Sequence, residues 1–220
     1  MAASSGLAEP PDDRGDLAGF PAAGHVDQLH RCSDHPGAWW FSSVEAPNDE
    51  VGGRFDRTTP RGTCYLAEER LDGALVEKLL RTPVKVVVHE RLVELFHATV
   101  TVRAAPPTAD LTAQAATGFG LNAEVHDTLD YGITRRWAAA LDEAGWRALR
   151  HRLRGDVTGE LAGRCVFGGA GLHQRAPAGM RTRVEPLDVQ QATAVLEARG
   201  VEVRPIPRTV PIADPPATGG

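Results

Sequence analysis

Segments with the pattern of strands and segments with the pattern of helices are interleaved along this chain, without the regular strand–helix–strand alternation of a parallel sheet. Alternating or β-branched runs predict strands at 28–32, 62–67, 96–102, 147–152, 164–167 and 201–205. Apolar residues at helical spacing predict helices at 71–80, 129–144 and 187–199, the second capped by Asp127 or Thr128 and ended by Gly145. This irregular order favours an α+β fold over a doubly wound α/β fold.

The length of 220 residues is sufficient for one domain with its own hydrophobic core. Residues 1–24 are rich in Ala, Gly, Pro and Asp, and residues 206–220 are rich in Pro, and both compositions resist packing into a core. We therefore expect disordered tails over 1–24 and 206–220. Between them, a single domain at 25–205 is expected to end with a helix and a strand.

Charge and hydrophobicity argue against several classes of protein. A net charge of -5 and a pI near 5.9 do not suit a protein that binds nucleic acid through its phosphates. No apolar run approaches the roughly 20 residues of a membrane-spanning helix. The first residues lack the basic start and apolar stretch of a secretory signal. Three scattered cysteines (Cys32, Cys64 and Cys165) are too few for a disulfide framework, so a reducing cytoplasm is the expected location.

Common catalytic and cofactor motifs are missing from the sequence. It contains neither G-x-G-x-x-G before a helix, nor G-x-x-x-x-G-K-[ST], nor G-x-S-x-G. The run Gly168–Gly171 is predicted to be a turn because no helix follows it. His30, Cys32 and His35 lack the companion ligands of a zinc site, so no metal is expected. The basic run 147–154 is predicted to be a charged strand at a sheet edge.

One group of polar residues stands out in the first half of the chain. Arg54 follows two glycines, which places its guanidinium to hold an oxyanion that approaches the backbone. Glu77 lies on the apolar face of a predicted helix, where a carboxylate either pairs with an arginine or takes part in chemistry. Tyr65 offers an aromatic face and a hydroxyl. A buried Arg54–Glu77 ion pair and a core position for Tyr65 are the structural alternatives, and both stay open at this point.

Five short segments, taken in order, resemble the RES domain family: LHR at 29–31, WWFSS at 39–43, GGRFD at 52–56, GTCYLA at 62–67 and ALVE at 74–77. The similarity continues through the predicted 129–144 helix to RCVFG at 164–168. The order of the segments is more specific than any one of them. The resemblance implies a fold like that of the ADP-ribosyltransferase toxins, with small mixed sheets and flanking helices around a central cleft that holds NAD.

The resemblance also implies roles for four residues. The family is named for an arginine, a glutamate and a serine. Arg31 matches the first arginine of the family and Glu77 its glutamate, which makes these two the expected catalytic residues. Arg54 matches a second arginine and Tyr65 the tyrosine of the Y-L-A strand, and these two are expected to bind NAD.

The family's serine does not carry over to this chain. Its strand, approximately G-I-R-Y-R-S-R, aligns with ALRHRLR at 148–154, which places Leu153 at the serine position. Ser42 and Ser43 are the nearest substitute hydroxyls in the sequence.

RES proteins of known activity degrade NAD by hydrolysis or phosphorolysis, and many are toxins neutralised by a helix-turn-helix antitoxin. The resemblance therefore implies an NAD-degrading enzyme that releases nicotinamide, with NAD as its substrate and an antitoxin protein as a partner. Two alternatives stay open from the sequence. One is a non-catalytic NAD- or nucleotide-binding relative, which Leu153 favours, and the other is an ADP-ribosyl transferase.

Overall fold

The computed structural model describes residues 6–68, 70–80, 82 and 84–206. Its strands are β1 (Gln28–Ser33), β2 (Trp39–Phe41), β3 (Ser43–Val44), β4 (Arg57–Thr58), β5 (Arg61–Glu68), β6 (Val86–Val88), β7 (Phe96–Val102), β8 (Thr108–Asp110), β9 (Ala148–Arg152), β10 (Ala162–Gly169), β11 (Gly171–His173), β12 (Met180–Pro186) and β13 (Glu202–Arg204). Its α-helices are α1 (Leu71–Leu79), α2 (His89–Val93), α3 (Glu124–Asp127), α4 (Tyr131–Glu143) and α5 (Val189–Ala198), and two 3-10 helices lie at Arg14–Gly19 and Gln114–Phe119. Helices and strands alternate irregularly, as an α+β fold requires.

Seven strands form one mixed sheet in the order β12-β7-β1-β5-β10-β9-β8. Neighbouring strands are antiparallel except for β8 and β9, which pair in parallel. Three two-stranded sheets join β2 with β11, β3 with β4, and β6 with β13. The main sheet is larger than the small sheets that were expected. One reason is β12, an edge strand whose mostly exposed side chains give it little apolar pattern in the sequence.

Two separate groups of helices cover one face of the main sheet. Side chains two apart on a strand point to the same face, so Tyr65 and Ala67 of β5 share this face. Tyr65 packs in a cluster around Trp137 of α4. Ala67 packs in another cluster, with Leu75 of α1 and Leu196 of α5. The two clusters therefore lie side by side on one face of the sheet.

Strand β9 shows where these helical groups part. Leu149 belongs to the cluster under α4, and Leu153, just after the strand, belongs to the cluster under α1 and α5. His151 lies between them on the same side of the strand and belongs to neither cluster. His151 is 1% exposed and lines the cleft that lies between the two groups of helices.

The opposite face of the sheet carries a third cluster. Leu66 of β5, Leu29 of β1 and Val100 of β7 pack there against Trp39 and Phe41 of β2. The aromatic segment at 39–41 is therefore part of the core on the far side of the sheet, except for Trp40, which is 46% exposed.

The prediction of a disordered tail over 1–24 is wrong for residues 6–24. Leu17 and Phe20 are buried in the cluster around Trp137, and the indole of Trp146 donates a hydrogen bond of 3.1 Å to the carbonyl of Leu17. The Trp137 indole donates likewise to the carbonyl of Ala8 at 2.8 Å. A few apolar residues anchor a segment whose overall composition is that of a linker. The predicted tail at 206–220 lies outside the described residues except for Ile206.

Strand β9 is not at the sheet edge, because β8 pairs with its outer side. The arginine of β9 that faces its neighbours, Arg150, is neutralised by Glu68 at 3.0 Å and by Asp110 at 3.6 Å. The predicted edge position of the 147–154 run is therefore wrong. Ion pairs to Asp110 of the neighbouring strand β8 and to Glu68 of β5, on the far side of β10, accommodate the charge of Arg150 inside the sheet.

Two predicted boundaries also differ from the structure. Helix α4 is capped by Asp130, whose side chain accepts from the amide of Ile133, rather than by Asp127 or Thr128. The run Gly168–Gly171 is not a simple turn, since its first two residues end β10 and its last opens β11.

No helix in the described part of the chain has the length and apolar character needed to cross a bilayer.

Leu17→Ala tests whether the N-terminal segment is part of the core. The change removes a fully buried side chain, and we expect the free energy of unfolding to fall by about 2–5 kcal/mol. Urea denaturation followed by tryptophan fluorescence measures it. Asp16→Ala, an exposed change in the same segment, is the control and should alter stability by no more than about 0.5 kcal/mol. Equal stabilities for the two variants would mean that the segment does not pack on the domain.

Candidate functional site

A cleft of ≈ 1490 Å³ opens between α4 on one side and α1 with α5 on the other. A smaller pocket of ≈ 320 Å³ adjoins it next to β1. Gly53, Tyr65 and Glu77 line both spaces. The cleft and the pocket therefore meet at these three residues.

The four site residues predicted from the sequence all lie around these two spaces. Arg54, Tyr65 and Glu77 line the cleft. Arg31 lines the smaller pocket, again together with Tyr65 and Glu77. The two arginines thus reach the site from opposite sides of the Tyr65–Glu77 junction and do not form one two-arginine clamp.

Arg54 is a buried cation with unused hydrogen-bonding capacity. Its Nη2 lies 3.2 Å from Nδ1 of His151 and 3.2 Å from the carbonyl oxygen of Arg152. Its Nε and Nη1 have no hydrogen-bond partner among the described residues. The ring of Phe55 lies under the guanidinium, 4.8 Å from its Cζ. Burial lowers the pKa of Arg54 and the charge of Glu77 opposes that shift. A guanidinium in this setting is suited to bind an anionic ligand from the cleft.

The loop before Arg54 is held in place from helix α4. The buried side chain of Arg135 donates hydrogen bonds to four carbonyl oxygens, those of Pro47, Asp49, Val51 and Gly53. The hydroxyl of Thr134 donates to the carbonyl of Arg54 itself at 2.6 Å. These contacts satisfy a run of carbonyl groups that has no strand or helix partner. They fix the backbone from which the Arg54 side chain projects.

Asp56 holds the same loop from the other side. Its carboxylate accepts hydrogen bonds from the amide of Gly53 at 2.6 Å, the hydroxyl of Ser42 at 2.7 Å and the hydroxyl of Tyr65 at 2.8 Å. Burial and then the Asp56 charge raise the pKa of Tyr65 well above its usual range. A Cβ at residue 53 would overlap the Tyr65 hydroxyl, which explains the glycine. The Tyr65 hydroxyl is therefore committed to the loop, and its ring is what faces the site.

Arg31 is oriented by contacts around the smaller pocket. Its Nη1 donates to the carbonyl of Trp40 at 3.1 Å and contacts the sulfur of the buried Cys64. No carboxylate within ion-pair distance of Arg31 is found in the part of the chain that the structure describes. The guanidinium thus contributes positive charge to a pocket that Glu77 also lines.

Comparison with known proteins identifies the family. A model of the RES domain family matches residues 28–153, more than half of the chain. The chain belongs to the RES domain family. Its fold is similar to that of a chain in the crystal structure of the M. tuberculosis MbcT–MbcA toxin–antitoxin complex, with a TM-score of 0.54 and 18% sequence identity over 83% of this chain and 94% of that chain. None of the curated proteins matches it.

Leu153, which we expect at the position of the family's serine, does not line the cleft or the pocket. Its side chain is 2% exposed and packs in the cluster under α1 and α5. Gly73 and Gly163 leave room for it, because a Cβ at either position would lie within 3.4 Å of a Leu153 methyl group. Leu153 is thus a core residue whose side chain presents no polar group to the site.

The substitute hydroxyls predicted from the sequence have other partners. Ser42 lines the smaller pocket, but its hydroxyl donates to Asp56. Ser43 lies in β3, where its hydroxyl accepts from Thr59, and it lines neither space. Neither serine therefore takes the place of the missing hydroxyl in a direct way.

Sequence reasoning missed two histidines near Arg54. His151 forms part of the cleft floor, with its ring 5.1 Å from that of Phe55. His126 of α3 is buried, and its Nδ1 accepts from the amide of Arg152 at 3.4 Å. His151 contacts the Arg54 guanidinium, and the charge of Arg54 acts on His126. Neither the strand pattern around His151 nor the short helix of His126 indicates this in the sequence.

The residues considered for a metal site have other roles. His30 stacks on His97, with Nδ1 of the former 3.0 Å from Nε2 of the latter. Burial raises the pKa of Cys32 to about 12, which disfavours the thiolate that binds metals. Among the described residues no group of three or more His, Cys, Asp or Glu side chains is placed to hold a metal ion.

His126 makes stability depend on pH. Burial, then the charges of Arg54 and Arg152, lowers its pKa to about 4. Between about pH 4 and its ordinary value near 6.5, the unfolded chain binds a proton that the folded chain does not, so stability falls as the pH falls. We expect wild type to lose about 2 kcal/mol relative to His126→Asn between pH 7.5 and 5. Urea denaturation at both pH values measures the difference.

In His126→Asn, the side-chain oxygen of the asparagine can accept the hydrogen bond that the Arg152 amide donates to Nδ1 of His126 in wild type. His25→Asn, at an exposed position, is the control and should follow the pH dependence of wild type. If His126→Asn also follows wild type, His126 is charged in the folded protein and the lowered pKa is wrong.

Proposed function

We propose that this RES protein binds NAD across the cleft and the smaller pocket and cleaves it with release of nicotinamide. The observation that supports the proposal most strongly is the buried Arg54, which lines the cleft and has two solvent-shielded guanidinium nitrogens without a hydrogen-bond partner among the described residues. An unsatisfied buried cation is costly unless a ligand completes its hydrogen bonds. The NAD diphosphate offers oxygen atoms that match the guanidinium geometry.

The two spaces and their junction support one placement of NAD. With its diphosphate on Arg54, the adenosine half lies in the ≈ 1490 Å³ cleft, which exceeds the roughly 300–1000 Å³ typical of drug-sized ligands. The smaller pocket of ≈ 320 Å³ takes the nicotinamide ring. The bond between nicotinamide and ribose then lies at the junction beside Glu77.

Glu77 is the proposed catalytic carboxylate. When the C1′–N bond of the nicotinamide ribose breaks, the electron pair leaves with nicotinamide and the ribose ring acquires oxocarbenium character. A fixed carboxylate beside that ring stabilises the developing positive charge, an effect commonly worth about 3–4 kcal/mol. An oxygen of water or phosphate then bonds to C1′, and an attacking water loses a proton. Nicotinamide leaves as a neutral molecule, so its departure requires no strong acid.

Tyr65 and Arg31 have supporting roles in this proposal. Because the Tyr65 hydroxyl is engaged by Asp56 and by the amide of Phe55, Tyr65 offers NAD its ring and braces the Arg54 loop. Arg31 provides positive charge in the pocket, where it orients the carboxamide of nicotinamide or an anionic acceptor such as phosphate.

A second candidate function is NAD binding without turnover, and Leu153 is the observation that favours it. The RES serine position is occupied by a buried aliphatic side chain, and Ser42 is bound to Asp56. If the serine is indispensable for orienting NAD, the cleft retains binding and loses chemistry. Binding of NAD with no release of nicotinamide would establish this candidate.

The proposal includes a cytoplasmic protein partner of the antitoxin type. Its support is the shared fold with a chain of a toxin–antitoxin complex, together with exposed apolar side chains at the cleft. Leu129 is 78% exposed and Val157 is fully exposed, and both line the cleft. A helix-turn-helix partner covering them would block access of NAD to Arg54.

Arg54→Lys tests the anion site. A lysine cannot reproduce the planar guanidinium, so we expect affinity for ADP-ribose to fall at least about tenfold. Isothermal titration calorimetry measures the affinity, and the free energy of unfolding of each protein is determined in parallel. Arg183→Lys, on the exposed strand β12, is the matched control and should bind as wild type does. Unchanged affinity in a folded Arg54→Lys protein would remove Arg54 from the site.

Glu77→Gln tests the chemistry. The change keeps the shape of the side chain and removes its charge, and we expect nicotinamide release from NAD to fall at least about 100-fold. Chromatography of reactions with and without phosphate measures nicotinamide and distinguishes the acceptors. Glu197→Gln, an exposed change on α5, is the control. Turnover that survives in Glu77→Gln would refute the role of Glu77, and radiolabelled ADP-ribose on a protein would indicate transfer instead of hydrolysis or phosphorolysis.

A further inference from the structure

One half of the cleft is apolar and is built partly by residues that follow the RES match. The match ends at residue 153. Helix α5 and the residue that follows its turn contribute Val195, Ala198 and Val201 to the cleft lining. Leu71 and Leu80, from α1 and its C-terminal end, line the same space, and Leu71 and Val201 pack in one hydrophobic cluster beneath it. We call the three residues Val195, Ala198 and Val201 the α5 wall.

Helix α5 is fixed firmly against the domain. Ala192 and Leu196 on its inner side are fully buried. Arg199, just after the helix, donates to Asp72 of α1 and to Asp156, each at 3.2 Å. Asp156 in turn accepts from the amide of Leu161 at 2.8 Å. The α5 wall is therefore preformed rather than a loose extension of the chain.

The same ion pairs remove charge from this half of the cleft. Arg199 is shared between two carboxylates, so Asp72 and Asp156 do not present free negative charge to a ligand. The surface that remains between them is largely aliphatic. A polar amide, that of Gln191, lies at the exposed rim of this surface.

The other half of the cleft is cationic. Arg54 lies there with its two unpartnered nitrogens. Arg154 lines the same half and donates to the Tyr131 hydroxyl at 2.9 Å. The cleft thus offers one end to an anion and the other to a neutral, apolar group. A ligand that uses both ends carries a phosphate joined to a flat hydrophobic moiety.

We propose that the α5 wall is a subsite for the purine base of the dinucleotide. The proposal rests on the proposed NAD function and names the part of the chain that selects the nucleotide. A purine base buries two flat faces against aliphatic side chains and presents donor and acceptor groups at its edge. The Gln191 amide can donate to and accept from an adenine edge in a bidentate manner. The α5 wall therefore favours NAD over nicotinamide mononucleotide, which has the same reactive half and no adenosine.

The test compares nicotinamide release from NAD and from nicotinamide mononucleotide. In wild type we expect kcat/KM to be at least about tenfold higher for NAD. Val195→Asn, which adds polarity without a charge that would repel phosphate, should lower kcat/KM for NAD toward the value for the mononucleotide and leave the latter unchanged. Ala194→Asn, on the same helix and not lining the cleft, is the matched control and should behave as wild type. If Val195→Asn unfolds at a much lower urea concentration than wild type, Gln191→Ala, at an exposed position, serves as a second variant. It should likewise lower kcat/KM for NAD and leave the value for the mononucleotide unchanged.

The outcomes separate this inference from the proposed function. If both compounds are cleaved with equal kcat/KM, the α5 wall is not a base subsite although the enzyme assignment stands. If neither is cleaved, the enzyme assignment fails, and the subsite is decided by calorimetric binding of AMP and ribose 5-phosphate. A subsite requires AMP to bind at least about tenfold more tightly, with that advantage lost in Val195→Asn. If Val195→Asn instead alters only the sedimentation behaviour of the protein, the α5 wall is an interface between copies and the subsite is refuted.

Discussion

The site depends on two buried charged side chains that hold the 47–56 loop between them. Arg135 binds four carbonyl groups of the loop, and Asp56 binds an amide and two hydroxyls. Each charge is buried only because hydrogen bonds replace its hydration. Since these partners are fixed, the loop backbone is fixed too, and Arg54 can be kept buried without a carboxylate partner within ion-pair distance in the described structure. The hydrogen bonds of Arg135 and Asp56 thus hold the backbone that keeps Arg54 buried at the cleft.

The sheet provides the second constraint. On one face of the sheet, side chains pass from the α4 cluster to the α1 and α5 cluster within two residues of β5 (Tyr65 to Ala67) and within four residues along β9 (Leu149 to Leu153, just after the strand). Two helical groups on one face necessarily leave a seam, and Tyr65 and His151 lie in that seam. The cleft is therefore a consequence of how the helices divide the sheet. Polar side chains of the site can therefore lie along the seam, beside two hydrophobic clusters rather than within them.

The sequence predicts the local part of this arrangement well. Arg54, Tyr65 and Glu77 each sit in a segment whose pattern indicates its element, and the structure brings all three to one cleft. The function of Arg135 is not predictable in this way, because the loop it holds is 82 or more residues away along the chain. The N-terminal segment is mispredicted for a related reason. Composition averages over 24 residues, whereas packing depends on the two or three apolar side chains that reach Trp137.

The position of Glu77 depends on parts of the domain that are distant in the sequence. Helix α1 has nine residues and an N-cap without a side-chain hydrogen bond. A helix of that length is marginal in isolation, so its stability comes from packing. Its buried face is covered by the sheet and by α5, and Arg199 ties its first turn to Asp156. Loss of α5 would expose this face and release the first turn. The segment beyond the RES match therefore holds the helix that carries Glu77 in place, and the sequence around Glu77 alone does not reveal it.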